Sequence, residues 1–160
     1  MKILLATDGS GHGDAAIDAI TQRVPPPGSE VRVVSVVGSH FPVPYTPWEG
    51  VDVSRVVELE QEFRDRARAA VENAATQLRA HQGSDRLTIT TEVLYGSPKR
   101  RILEDAEAFG ADLIVVGSHG HGMLERFLLG SVSQAVALHA RCSVEIVRRA
   151  TTQTSERKKQ

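Results

Sequence analysis

Between positions 117 and 133 the chain runs Gly117-Ser118-His119-Gly120-His121-Gly122, then Met123 to Leu129, then Gly130-Ser131-Val132-Ser133. Glycine suits places where backbone must approach a ligand closely or take a positive φ. Gly117, Gly120 and Gly122 are expected to leave a strand with their amides free to point at an anion. Gly130-Ser131 is expected to open a helix whose first N–H groups are unpaired and positively polarised. Ser131 and Gln134 fit a capping box, which would fix where that helix begins. The chemistry implied is phosphate binding, with an anion among the early amides, touched by the hydroxyls of Ser131 and Ser133. One glycine alone would mean a tight strand exit and a cap. The whole set, in front of a capped helix, favours an anion site.

Other residues invite chemistry less strongly. His119 and His121 alternate in the loop, but two histidines with no nearby third ligand are more often polar loop residues than a metal site. No protein-held metal is expected, and His119 is expected to donate toward phosphate oxygens. Asp8 could serve as a general base, yet no histidine or lysine is evidently placed to make a nucleophile pair with it. No catalytic residue is assigned, and Asp8 is expected to accept from a ribose hydroxyl or to cap its turn. Cys142 reads as inert packing. Lys99-Arg100-Arg101 sets cations against a helix dipole at about 0.3–1 kcal/mol each where exposed. A solvated face is expected there, with an anionic partner, or compensation by Glu104 or Asp105, as the alternatives.

These residues need elements to hold them. Short β-branched runs alternate with longer helical patterns, the signature of parallel βαβ units. Ile3 to Ala6 reads as a strand buried on both faces, followed by a helix from about Asp14 to Arg23 that Pro25-Pro26-Pro27-Gly28 stops. Val31 to Val37 is a second strand, and Gly38 to Gly50 reads as a loop carrying Pro42, Pro44 and Pro47. Val56, Leu59, Phe63, Ala67, Ala70, Val71, Ala74 and Leu78 recur at helical steps, and Gly83-Ser84 should end that helix. Leu87 to Leu94 alternates as a strand. Ser97-Pro98 looks like an N-cap with proline at the first helical position, and Phe109-Gly110 like a left-handed C-cap. Asp112 to Val116 is a buried strand, Ser131 to His139 a helix, and Val144 to Val147 the closing strand. Such a chain folds as α/β, a doubly wound five-stranded parallel sheet of order 3-2-1-4-5 with helices on both faces. Ligands bind such sheets at the carboxyl ends of the strands, where the winding reverses. That brings Thr7-Asp8-Gly9-Ser10 and Gly117-Ser118-His119-Gly120 to one crevice.

Spacing excludes three relatives of this architecture. Leu129-Gly130-Ser131 lacks the lysine of a Walker A loop. Asp14 stands where a dinucleotide fingerprint needs its third glycine, and Val36-Val37-Gly38 has no acid for a ribose. A receiver domain wants an aspartate where the chain has Leu94-Tyr95-Gly96. What the chain resembles is the ATP-binding branch of the universal stress protein family. The loop reads G-x2-G-x9-G-S at Gly117, Gly120, Gly130 and Ser131, and Ile3 to Ser10 and Ala111 to Gly117 look like the family's first and fourth strands. The similarity spans Lys2 to Arg148. It departs at Gly13, where serine is frequent, at Ser143, where proline usually follows the cysteine, and at Glu145, where the strand is usually apolar.

The resemblance implies ATP as ligand, with Asp8 and Thr7 at the ribose side and Val36 or Val37 on the adenine through backbone groups. Gly117, Gly120, Gly130, Ser131, Val132 and Ser133 would hold the phosphates, bridged by Mg2+ or Mn2+. It implies a regulatory stress-response protein with weak ATPase activity at most, and a homodimer through strand 144–148. Glu145 would then meet Arg141, Arg148 or Arg149 of the other copy. An open strand edge invites such pairing on its own account, although a charge there can also blunt it.

Composition bounds the rest. The 160 residues carry 41% hydrophobic and 24% charged side chains and a net charge of −1, so nothing global recruits nucleic acid or an acidic membrane. A lone cysteine gives no disulfide framework. The apolar run after Met1 stops at Thr7-Asp8, short for an export signal, and no stretch approaches the roughly 20 apolar residues of a membrane helix. A cytoplasmic protein is expected, with a nucleotide-binding domain over 1–150 and a disordered polar tail over 151–160.

Overall fold

The alternation of β-branched runs and helical repeats is followed closely. In chain order come β1 (Lys2–Ala6), α1 (Gly11–Arg23), β2 (Glu30–Val37), β3 (Tyr45–Thr46), β4 (Gly50–Val51) and α2 (Val53–Ala80). They are followed by β5 (Thr88–Tyr95), α3 (Pro98–Phe109), β6 (Leu113–Gly117), α4 (Ser131–His139) and β7 (Ser143–Val147). The computed structural model describes residues 1–23, 25–38, 45–46, 50–51, 53–81, 87–120 and 129–148. His121, Gly122, the Gly83-Ser84 helix stop, Arg149 and the 151–160 tail lie outside them.

Five strands form one parallel sheet in the order β5-β2-β1-β6-β7. Numbering those five strands alone, the order is the expected 3-2-1-4-5. Successive side chains of a strand go to opposite faces, so a strand covered on both sides reads as a continuous apolar run. Ile3, Leu4 and Leu5 are all fully buried. Ile3, Leu5, Val31, Val33 and Val115 pack under α1 and α2, against Ile17, Ile20, Val71 and Leu78. Leu4, Val34, Ile114 and Val116 face α3 and α4, against Ile102, Phe109 and Val136. Truncating such a residue to alanine costs about 2–5 kcal/mol, so these two clusters dominate stability.

Several boundaries differ from expectation. α1 starts at Gly11, with the Asp14 amide donating to the Ser10 carbonyl at 3.2 Å. The segment read as a loop contains a short antiparallel ladder, Tyr45 opposite Val51 and Thr46 opposite Gly50. The apolar stripe of α2 is buried from Ala67 to Leu78, whereas Phe63 is 37% exposed. The reason is length: 28 residues of helix run about 42 Å, beyond the roughly 27 Å of an eight-residue strand. Both ends of α3 are as read, with Ser97 at the N-cap, Pro98 first in the helix and Gly110 left-handed at φ 69°, although the Ser97 hydroxyl makes no cap bond.

Candidate functional site

The carboxyl ends of β1 and β6 meet at the switch in winding, and the turn after each is fixed by its own polar groups. After β1, the Gly9 amide donates to Thr7 Oγ1 at 3.1 Å and the Ser10 amide to Asp8 Oδ1 at 3.0 Å. This Asx turn holds the Asp8 carboxylate at the mouth of the sheet. Gly9 takes φ 77°, a conformation that favours glycine.

After β6, Ser118 is the junction. It is 1% exposed. Its amide donates to the Val147 carbonyl of β7 at 2.7 Å, and its carbonyl accepts from the Gly130 amide at 2.8 Å and from Ser133 Oγ at 3.1 Å. Its hydroxyl lies 3.1 Å from His119 Nδ1. Three sequence-based details change accordingly. The Gly130 amide is committed to Ser118 and is not free for an anion. The Ser133 hydroxyl turns inward to the Ser118 and Gly130 carbonyls. The capping box is not formed, because Gly130 is the N-cap and Ser131 is already the first helical residue. The amides of Ser131, Val132 and Ser133 remain as first-turn donors with no intrahelical carbonyl to meet.

The loop glycines serve close approach rather than positive φ: Gly117, Gly120 and Gly130 are not among the positive-φ glycines. A Cβ on Gly117 would stand 2.9 Å from the His12 carbonyl, one on Gly120 2.6 Å from Asp8 Oδ2, and one on Gly130 3.1 Å from the Ser118 carbonyl. The rings of His12 and His119 lie 5.4 Å apart, tilted by 57°.

These elements enclose a cleft of about 310 Å³, in the range of small-ligand sites. Thr7, Asp8, Val36, Gly117, His119, Gly120, Gly130, Ser131, Val132 and Ser133 all line it. Val37 does not: it is 5% exposed, and its carbonyl accepts from the Gly96 amide at 3.0 Å. Gly13, expected at the rim, also lines it, and Ala6, Val34, Pro98, Ile102 and Val116 complete the lining without having been anticipated. Pro98 and Ile102 were within reach of the sequence, as successive turns on one face of a helix whose start had been read. The cleft therefore has an apolar side, from Val34, Val36 and Ile102, and a polar side, from Asp8, His119 and the head of α4. Residues from the opening turns of α1, α3 and α4 (Gly13, Pro98, Ser131) all border it, which supplies positive potential without a buried cation.

Among the described residues there is no group of three or more His, Cys, Asp or Glu side chains able to hold a metal. Glu145 is engaged by Arg23 of α1 in the same chain, a contact that the sequence reading did not name. Cys142 is half-buried, and burial, then the nearby Asp112 carboxylate, push its thiol above the ordinary value. No helix among the described residues is long and apolar enough to cross a membrane.

With the geometry in place, comparison with known proteins gives a consistent result. Residues 1–148 match the Universal stress protein family. A protein of Staphylococcus epidermidis assigned to the universal stress proteins is 31% identical over 148 residues, 92% of this chain and 83% of its own. The universal stress protein UspA from Lactobacillus plantarum is similar in structure, with TM-score 0.75 and 26% identity over 92% of this chain and 97% of that one. A family member from Arabidopsis thaliana, solved with AMP bound, shares the fold at TM-score 0.67 and 17% identity, covering 98% of this chain and 97% of its own.

Proposed function

The chain belongs to the universal stress protein family, and on that premise we propose that it is a cytoplasmic stress-response regulatory protein that binds an adenine nucleotide, ATP in the full form, in the cleft at the ends of β1 and β6. The observation that carries this reading is the head of α4, where Ser131, Val132 and Ser133, whose amides have no intrahelical carbonyl to meet, line the same cleft as Asp8 and an apolar wall. A helix N-terminus is an anion site by construction. The apolar wall suits a purine, and the Asp8 carboxylate suits a ribose hydroxyl. The AMP carried by the Arabidopsis thaliana relative supports the same ligand class.

In this reading Val36 meets the adenine through its backbone, since the Val37 carbonyl is already taken by Gly96. Gly117, Gly120 and Gly130 allow the backbone to come close, and His119 donates to phosphate. Mg2+ or Mn2+ would ride on the phosphates; Asp8 is the carboxylate that shares their cleft. Asp8 Oδ1 accepts from the Ser10 amide and His119 Nδ1 lies against the Ser118 hydroxyl. Regulation is favoured over slow hydrolysis, phosphoryl or adenylyl transfer, or a partner-binding module with incidental nucleotide. Self-association would use the exposed edge of β7, within strand 144–148, with residues 1–150 as the folded unit and 151–160 as a polar tail.

Calorimetric titration with ATP should give one site per chain, and mass spectrometry of ligand released from freshly purified, denatured protein should find an adenine nucleotide. Turnover should fall far below the enzyme median of about 10 per second. Absence of any ATP or AMP binding would refute the proposal, and turnover at that median surviving stringent purification would replace it with an enzyme.

A further inference from the structure

Of the basic triplet at the head of α3, only Lys99 has no carboxylate partner among the described residues. Arg100 Nε lies 3.3 Å and Arg101 Nη1 2.8 Å from the Glu104 carboxylate, while Asp105 is taken by Arg32 at 3.2 Å. Lys99 is exposed and forms no ion pair with a described residue. A cation in the first turn opposes the helix dipole, a cost that an anion in front of it would reverse.

The direction of Lys99 follows from the helix. Lys99, Leu103, Ala106 and Gly110 are spaced i, i+4, i+7 and i+11, one stripe along α3. Leu103, Ala106 and Gly110 line a groove against His139 and Ala140 at the far end of α4. The stripe thus faces α4, and Lys99 is its N-terminal member, at the end where Pro98 and Ile102 of α3 share the cleft with Ser131 and Val132 of α4. α3 packs on β2 and β1, and α4 beside it on β7. Lys99 is not itself in the cleft lining: it is exposed and directly follows Pro98, which does line the cleft.

We infer that Lys99 reads the distal phosphates of the nucleotide and makes the cleft prefer a triphosphate to a monophosphate. The inference rests on the adenine-nucleotide reading above. The amides at the head of α4 are fixed dipoles that suffice for one phosphate, and a longer chain carries charge beyond them. An ammonium on a flexible four-carbon stem can follow that charge as a point partner. Nothing in the reading asks Lys99 to touch the base, the ribose or the first phosphate.

The test is calorimetry on the full chain with AMP, ADP and ATP, each with Mg2+, for the wild type, Lys99→Met and Lys99→Arg. Wild type should bind ATP roughly tenfold more tightly than AMP, the scale of one charge-assisted hydrogen bond. Lys99→Met should lose that preference by weakening ATP alone, and Lys99→Arg should keep most of it. The preference should also shrink as salt is raised. An unchanged ATP-to-AMP ratio in Lys99→Met, or an equal loss for both nucleotides, would overturn the role of Lys99 while leaving the site assignment standing. Wild-type protein that binds neither nucleotide would remove the site assignment itself.

Discussion

The Thr7 hydroxyl fills the space that a side chain at Gly13 would need: a Cβ there would stand 2.4 Å from Thr7 Oγ1. Both residues are buried, Thr7 at 7% exposure, and the same oxygen accepts the Gly9 amide. Gly13 therefore leaves room for the Thr7 hydroxyl. Gly13→Ser should destabilise by about 1–3 kcal/mol, the range for overpacking. Adding Thr7→Ala should recover part of that loss. A double-mutant cycle by urea denaturation that shows additivity would break the link between the two.

The loop glycines separate binding from stability. At Gly120 an added methyl meets the side chain of Asp8, an exposed residue, and not backbone. Gly120→Ala should therefore weaken ATP roughly tenfold, the cost of one lost hydrogen bond to a charged group, with folding changed by under about 0.5 kcal/mol. At Gly130 a side chain would be driven at the Ser118 carbonyl rather than into the anion site. Gly130→Val should reduce both ATP affinity and the urea midpoint, because the clash is with backbone. Wild-type affinity in Gly130→Val would refute the loop assignment.

Arg23 and Glu145 join α1 to the outer strand across 122 residues of sequence. Their side chains are 46% and 29% exposed, so the pair contributes at most about 1 kcal/mol. Glu145→Arg should cost about that much, and the reversed pair Arg23→Glu with Glu145→Arg should restore it. Thermal melts showing no recovery would argue against the contact. Because Glu145 is occupied within its own chain, sedimentation of Glu145→Arg reads self-association only after the melt has been matched.

Cys142 provides a pH signature. Burial and Asp112 raise its thiol above the ordinary 9.0, so the folded state holds the proton to higher pH than the unfolded chain does. The stabilisation is present below pH 9 and is lost as pH rises through the folded-state value. Alkylation by iodoacetamide at pH 8 should be slower in the native protein than in urea, since the thiolate is the reactive form. Equal rates in the two states would contradict the raised value.

The strand order and the start of α4 were legible because they depend on local patterns. β-Branched runs such as Val31 to Val37 and punctuation such as Gly130-Ser131 say what they are within a few residues. What escaped was set by partners distant in sequence. The Ser118 carbonyl competes for the Gly130 amide and the Ser133 hydroxyl, and no feature of the glycine loop announces that. Arg23 claims Glu145 only because α1 packs beside β7. Val36 and Val37 are indistinguishable by type, and only the bond from Gly96 tells them apart.

The hydrogen bond from Gly130 to Ser118 has a consequence for how this protein can change. It closes a ring in the chain at the rim of the cleft, so the two ends of the intervening stretch are tied together whatever lies between them. Doubling the length of such a stretch costs only about 0.6 kcal/mol in closure entropy. The end of β6 and the head of α4 are therefore held together at the cleft by a bond between their own backbones.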